Sequence, residues 1–219
     1  LENTWLDIYD SPEELGRLID LLVAMNLAAI EKYAAFGAHG YIFADDWGLQ
    51  TRLMISPHAW REIWKPRYAR IFKAVHDAGM LAFLHSCGYI VDILDDLIGI
   101  GLDVIQMDQQ ENMGLELLGE RFGGRITFFN PVDIQTTMAH GSLDEIRAYC
   151  RKMVKLLSKS DVDKPDRHPP TELADDGQVA GDHVIGGFIP KWYSDPVGAG
   201  HRQEMIDAMC EEFIRISKQ

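Results

Sequence analysis

The 219-residue chain has no apolar run near the ~20 residues that a bilayer-spanning helix needs. No secretory-leader pattern precedes its first helical stretch, and it opens Leu1, Glu2, Asn3, Thr4. Its three cysteines, at positions 87, 150 and 210, are too few and too scattered for a disulfide framework. Together these absences point to the reducing cytoplasm. Basic residues are scarce too: 21 Lys and Arg stand against 34 Asp and Glu, a net charge of −13. Nucleic acid and anionic membrane surfaces are therefore poor partners, and a small-molecule substrate is the expectation. A polyanionic substrate would need a local basic patch against that field. With 47% hydrophobic and 25% charged residues, the chain can bury one good-sized core.

Helix and strand signals alternate along that core. Ser11 and Pro12, followed by Glu13 and Glu14, open a helix running to about Ala35, with Leu15, Leu18, Ile19, Leu22, Val23 and Met25 on its apolar face. Tyr41 to Ala44 reads as a strand. Ser56 and Pro57 start a second helical stretch that stops near Gly79, and Pro66 predicts a break within it. Further strands are expected at Leu81 onward, Asp103 to Asp108, Arg125 to Asn130 and Val184 to Ile189. Between and after them lie helices at Tyr89 to Ile98, Leu115 to Arg121, Ile134 to Ala139, Leu143 to Leu157 and Gly200 to Ile216. Ser142 and Glu145 form a capping-box signature before the Leu143 helix. Cys150 and Cys210 fall on apolar helix faces and read as structural. Such alternation with short turns predicts an α/β fold, a parallel sheet with helices outside it. Five units are visible where a complete eightfold barrel has eight in about 250 residues, so a partial barrel lacking its first three units is expected. Residues 158–182 are rich in charge and proline and read as a flexible insertion, with His168 a solvated residue.

The chemistry concentrates at Leu81 to Gly88. The stretch is apolar through Leu84 and then turns polar. His85 and Cys87 are two apart, so they leave an extended chain on the same face, and both are good zinc ligands. The plain alternative is a core histidine beside an inert thiol. In parallel sheets of this type function gathers at the carboxyl ends of the strands, which here carry Asp45, Asp46, His85, Cys87, Asp108, Asn130 and Asp133. Alternation puts Gln106 and Asp108 together, and Leu81, Phe83, His85 and Cys87 together, each set expected toward the barrel mouth. Only one of Asp45 and Asp46 can point inward, and the pattern does not say which. Asp46 and Asp133 read equally well as turn acceptors or helix caps.

Four segments carry a resemblance: Gly40 to Gly48, His85 to Gly88, Val132 to Gln135, and Gly186 to Pro190. They resemble the uroporphyrinogen decarboxylase (URO-D) superfamily, over nearly the whole chain apart from the charged insertion. The resemblance implies a (β/α)8 TIM barrel, of which this chain would be the C-terminal half or more, as one domain. It also implies one of two chemistries. One is cofactor-free tetrapyrrole decarboxylation. The other is methyl transfer between a corrinoid protein and a thiol or folate acceptor. The His-x-Cys-Gly motif is similar to that of the thiol-dependent methyltransferases, where His and Cys bind zinc with a second Cys from a later strand end. Here that position, near Gly186, is glycine, so the ligand set is incomplete and Asp108, Asp45 or Asp46 would have to replace it.

On this reading His85 and Cys87 are the metal ligands, and Asp46 and Asp108 the candidate catalytic carboxylates. Asp45, Trp47, Gln106, Asn130, Asp133 and Lys191 are the candidate substrate-binding residues. Zinc is the implied metal, a corrinoid protein the implied partner, and a homodimer an arrangement to be considered. Two other readings stand beside it: a decarboxylase, for which Lys191, His201 and Arg202 would have to form a basic patch rather than a solvated face, and an inactive partial barrel.

Overall fold

The computed structural model of the chain describes residues 2–159 and 186–218. Most of the expected insertion at 158–182, and the start of the expected strand at Val184, lie outside the described residues. The sheet has five strands, all parallel, in the order β1 (Gly40–Ala44), β2 (Leu81–His85), β3 (Val104–Gln106), β4 (Thr127–Asn130) and β5 (Gly187–Pro190). The alternation of apolar side chains decides its two faces. Ala82, Leu84, Ile105 and Phe128 are buried under helices, and one register row on the opposite face runs Ala44, His85, Gln106, Phe129, Ile189.

The helices are α1 (Glu2–Asp10), α2 (Pro12–Ala35), α3 (Pro57–Ile63), α4 (Lys65–Asp77), α5 (Val91–Gly99), α6 (Leu115–Arg121), α7 (Thr137–His140), α8 (Leu143–Leu157) and α9 (Gln203–Ile216). Ser56 caps α3 by accepting from the Ala59 N–H at 3.1 Å, and Ser142 with Glu145 makes the full capping box on α8. Pro66 falls in the first turn of α4, where its missing N–H costs nothing, and the helix pair breaks at Trp64.

Several boundaries differ from the sequence reading, each for a local reason. Ser11 makes no side-chain cap; its backbone N–H bonds to Asp7 O, because the unanticipated α1 runs almost directly into α2. Along α2 the buried stripe is Leu15, Ile19, Val23 and Ile30, while Leu18, Leu22 and Met25 on the neighbouring face are exposed. Helix α5 begins at Val91 because the Tyr89 N–H is taken by Leu49 O. Helix α7 begins at Thr137 because Asp133 takes the N–H groups of Gln135, Thr136 and Thr137. Cys150 is buried in the core, but Cys210 is exposed.

Two features hold the ends of the sheet in place. The first is the contact between the loop after β1 and the turn after β2. Backbone bonds run from Asp45 N to His85 O at 3.0 Å and from Gly48 N to Cys87 O at 3.1 Å. Side chains fill the gaps, with Trp47 N donating to Ser86 Oγ at 3.1 Å and Cys87 N donating to Asp46 Oδ1 at 2.8 Å. Gly48 and Gly88 touch backbone to backbone: a Cβ on Gly48 would sit 2.2 Å from Tyr89 N, and one on Gly88 would sit 2.3 Å from Gly48 C. Gly88 also has φ 77°, which a side chain would strain. The second feature joins α8 to α9. The buried Glu212 accepts from Arg151 at 2.7 Å and from Arg215 at 2.6 Å, and these partners, Arg215 first, pull its carboxyl down to about 2.

Gly48→Ala overpacks the loop contact and costs about 1–3 kcal/mol in denaturant unfolding. Gly99→Ala, which meets nothing within 4 Å, is neutral or slightly stabilising by the same measurement. Glu212→Gln costs about 1 kcal/mol near neutral pH, the arginines being half exposed and able to rehydrate. A depressed carboxyl stabilises above its ordinary value of 4.5 and loses that contribution as pH falls through about 2, so the gap between wild type and variant closes over that interval.

Candidate functional site

The site forms where β1, β2 and β3 end. Ala44 pairs with His85, so Asp46, two residues on, leaves β1 on the same side as His85, and Asp45 leaves on the other. His85 Nε2 lies 3.5 Å from Cys87 Sγ and 3.3 Å from Asp46 Oδ1. One ligand atom from each of the three residues falls within 4.8 Å of the others. Donors bound to one zinc at ~2.0–2.3 Å sit roughly 3.3–3.8 Å apart at tetrahedral angles. The nitrogen–sulfur and nitrogen–oxygen separations fall in that interval, so these three residues could hold a metal ion such as zinc. A three-residue set would leave a fourth position open, as catalytic rather than structural zinc sites do.

Burial pushes the Cys87 thiol up to about 11, helped by the carboxylates of Asp46 and Asp108; a hydrogen bond from the Asp108 backbone N–H and the charge of Lys191 work the other way. Near neutral pH, and without a cation, Cys87 is thus a thiol and not a thiolate. Behind His85 runs a chain of polar side chains. His85 Nδ1 meets Gln106 Oε1, Gln106 Nε2 donates to Asp108 Oδ1 at 2.8 Å, and Lys191 Nζ donates to the same oxygen at 2.7 Å. Gln106 and Asp108 are 4% and 7% exposed.

The structure brings Asp46, His85, Cys87, Gln106, Asp108 and Lys191 together and places the other candidates elsewhere. Asp45 accepts from Tyr68 Oη at 2.5 Å, and burial raises its carboxyl. Trp47 is 4% exposed, packed among Trp5, Trp60, Trp64 and Tyr68, and its indole N–H donates to Tyr68 Oη at 2.9 Å. Asn130 alternates with Phe129 onto the helix side, is fully buried, and neighbours Gln110. Asp133 is the acceptor of the turn leading into α7, taking the N–H groups of Gln135, Thr136 and Thr137 and the Thr137 hydroxyl. Lys191, His201 and Arg202 make no common patch: Lys191 pairs with Asp108, buried His201 bonds to Ile134 O, and Arg202 pairs with Glu204.

Three residues near the site were not anticipated. Ser86 and Gln109 fasten the loops, the latter through Gly88 N at 3.1 Å. Tyr193, in the segment after β5, has its phenol raised by burial and then by the charges of Asp108 and Cys87. Ser86 lay inside the motif; for Gln109 and Tyr193 no spacing pointed to them.

None of the curated proteins compared with the chain matches it. A methyltransferase from Methanosarcina mazei shares the fold, with a TM-score of 0.68 at 16% identity. The likeness covers 99% of this chain and 53% of that one, so the chain spans about half the length of that structure. Among protein families, the one described as uroporphyrinogen decarboxylase (URO-D) matches residues 1–168. A match over most of the sequence, together with five parallel strands in sequential order, establishes that the chain belongs to the URO-D family, as part of its α/β barrel.

Proposed function

We propose that this chain carries the metal-binding part of a URO-D-family methyltransferase that moves a methyl group between a corrinoid protein and a thiol or folate acceptor. The observation that carries this reading is the Asp46, His85 and Cys87 cluster at the ends of adjacent strands, with separations that suit one zinc ion. The similar fold of a methyltransferase supports it. Among the described residues Lys191, His201 and Arg202 form no common basic patch, which weakens the decarboxylase alternative.

A zinc ion at this cluster would supply Lewis acidity that keeps an acceptor thiol as thiolate near neutral pH. The chain's own residues do the rest. His85 offers a nitrogen and Cys87 a sulfur from one strand face. Asp46, from the end of β1, offers a carboxylate oxygen in place of the second cysteine that the resemblance implies near Gly186, and a less thiolate-rich set would leave the metal more electrophilic. The Cys87 backbone is fixed by Asp46, and its sulfur is turned toward the Asp108 N–H, so ligand and loop are ordered together. The open end of the sheet is the side from which a small acceptor and a corrinoid protein would approach.

Zinc must displace the Cys87 proton, so affinity rises with pH. With the thiol at about 11, one proton released gives about a tenfold gain per pH unit between pH 7 and 9. Calorimetric titration with zinc alone should show one site per chain with that slope. Cys87→Ser should abolish the slope, weaken binding about 100-fold and remove thiol methylation from a methylated corrinoid, with little change in unfolding midpoint. A protein that takes up no zinc at micromolar levels and methylates unchanged as Cys87→Ser would sink this function.

A further inference from the structure

We propose that Lys191, Asp108 and Gln106 act as a positioning relay that fixes the tautomer of His85, keeping its proton on Nδ1 and turning a bare Nε2 toward Cys87 and Asp46.

The Lys191 ammonium has only protons to give, so Asp108 Oδ1, 2.7 Å away, accepts. The same carboxylate oxygen lies 2.8 Å from Gln106 Nε2. Rotating the Gln106 amide by half a turn would set its oxygen against the carboxylate, two acceptors with no proton between them. The amide is therefore held with Nε2 toward Asp108 and Oε1 toward His85. An amide oxygen cannot donate, so the hydrogen bond between Gln106 Oε1 and His85 Nδ1 requires the proton on Nδ1. A neutral imidazole has one N–H, which leaves the lone pair on Nε2, the atom 3.5 Å from Cys87 Sγ and 3.3 Å from Asp46 Oδ1. Water competes poorly, since Gln106 is 4% and Asp108 7% exposed. Asp108 supports both neighbours at once, His85 through its side chain and Cys87 through its backbone N–H. These are positioning residues: Gln106 touches His85 directly, and Asp108 and Lys191 act through it.

The inference rests on the metal reading above only for its second readout. The first is the tautomer itself, read by long-range ¹H–¹⁵N correlation on the metal-free, ¹⁵N-labelled 219-residue chain. The spectra are recorded at pH about 8.5, two units above the ordinary imidazole value. His85 is assigned among the eight histidines by the signals that vanish in His85→Gln. The wild type should show a protonated Nδ1 and a bare Nε2. In Asp108→Asn the new amide can give as well as accept, so Gln106 is free to turn and an Nε2–H form appears. Gln106→Leu removes the lock altogether and decides the matter if Asp108→Asn does not fold. Titration with zinc alone should show affinity falling 10–100-fold in both variants while the unfolding midpoint holds. An Nε2–H form in the wild type, or an unchanged Nδ1–H form in the variants, overturns the relay. If the tautomer switches as described and neither wild type nor variants take up zinc, the relay stands and the metal reading fails.

Discussion

The arrangement depends above all on the backbone contact between the loop after β1 and the turn after β2. Gly48 and Gly88 approach so closely that neither tolerates a Cβ, and the hydrogen bonds on either side alternate between the two segments. This contact turns two separate strand ends into one rigid corner. Asp46 then has two duties that agree: one oxygen accepts from the Cys87 N–H and also lies near His85 Nε2. The carboxylate that shapes the turn is the carboxylate that faces the imidazole. Behind the corner, Trp47, Trp60, Trp64 and Tyr68 fill the space under the loop and leave Trp47 little freedom to move.

The register of the sheet adds the third side. Because His85 pairs with Gln106, and Gln106 stands two residues before Asp108, the polar residues of β2 and β3 meet along one row. Parallel pairing makes such rows a consequence of topology and not of special loops. The negative field of a chain at −13 is locally relieved here by the half-buried Lys191, arriving from beyond β5. Its charge is spent on Asp108, which is why it is a poor candidate for holding a substrate carboxylate.

Much of this was legible in the sequence. The strand and helix alternation gave five parallel strands in order, and the period of two put His85 with Cys87 and Gln106 with Asp108. What was not legible traces to parity and to distance. The stretch Thr127, Phe128, Phe129, Asn130 is aromatic on both faces, so nothing in it said that Asn130 would turn to the helices. Asp45 and Asp46 are chemically identical, and only the pairing of Ala44 with His85 separates them. Trp47 stands next to the site in sequence, yet it is claimed by aromatic partners from α1, α3 and α4, contacts that no local pattern encodes. Helix α1 carries neither a proline start nor a glycine stop, so its existence left no punctuation to read.

Strand β1 is, among the described residues, paired on one side only, to β2. An outermost strand frays before an inner one, since half of its ladder groups already face solvent and opening breaks one set of bonds rather than two. The corner described above is fastened to the end of that strand, and the three candidate ligands span the boundary between β1 and β2. A cation bridging Asp46 to His85 and Cys87 would therefore also be a clasp across the seam between β1 and β2. Amide hydrogen exchange in Gly40–Ala44 would slow on loading, and the protein would report the occupancy of its site through the local opening of an edge.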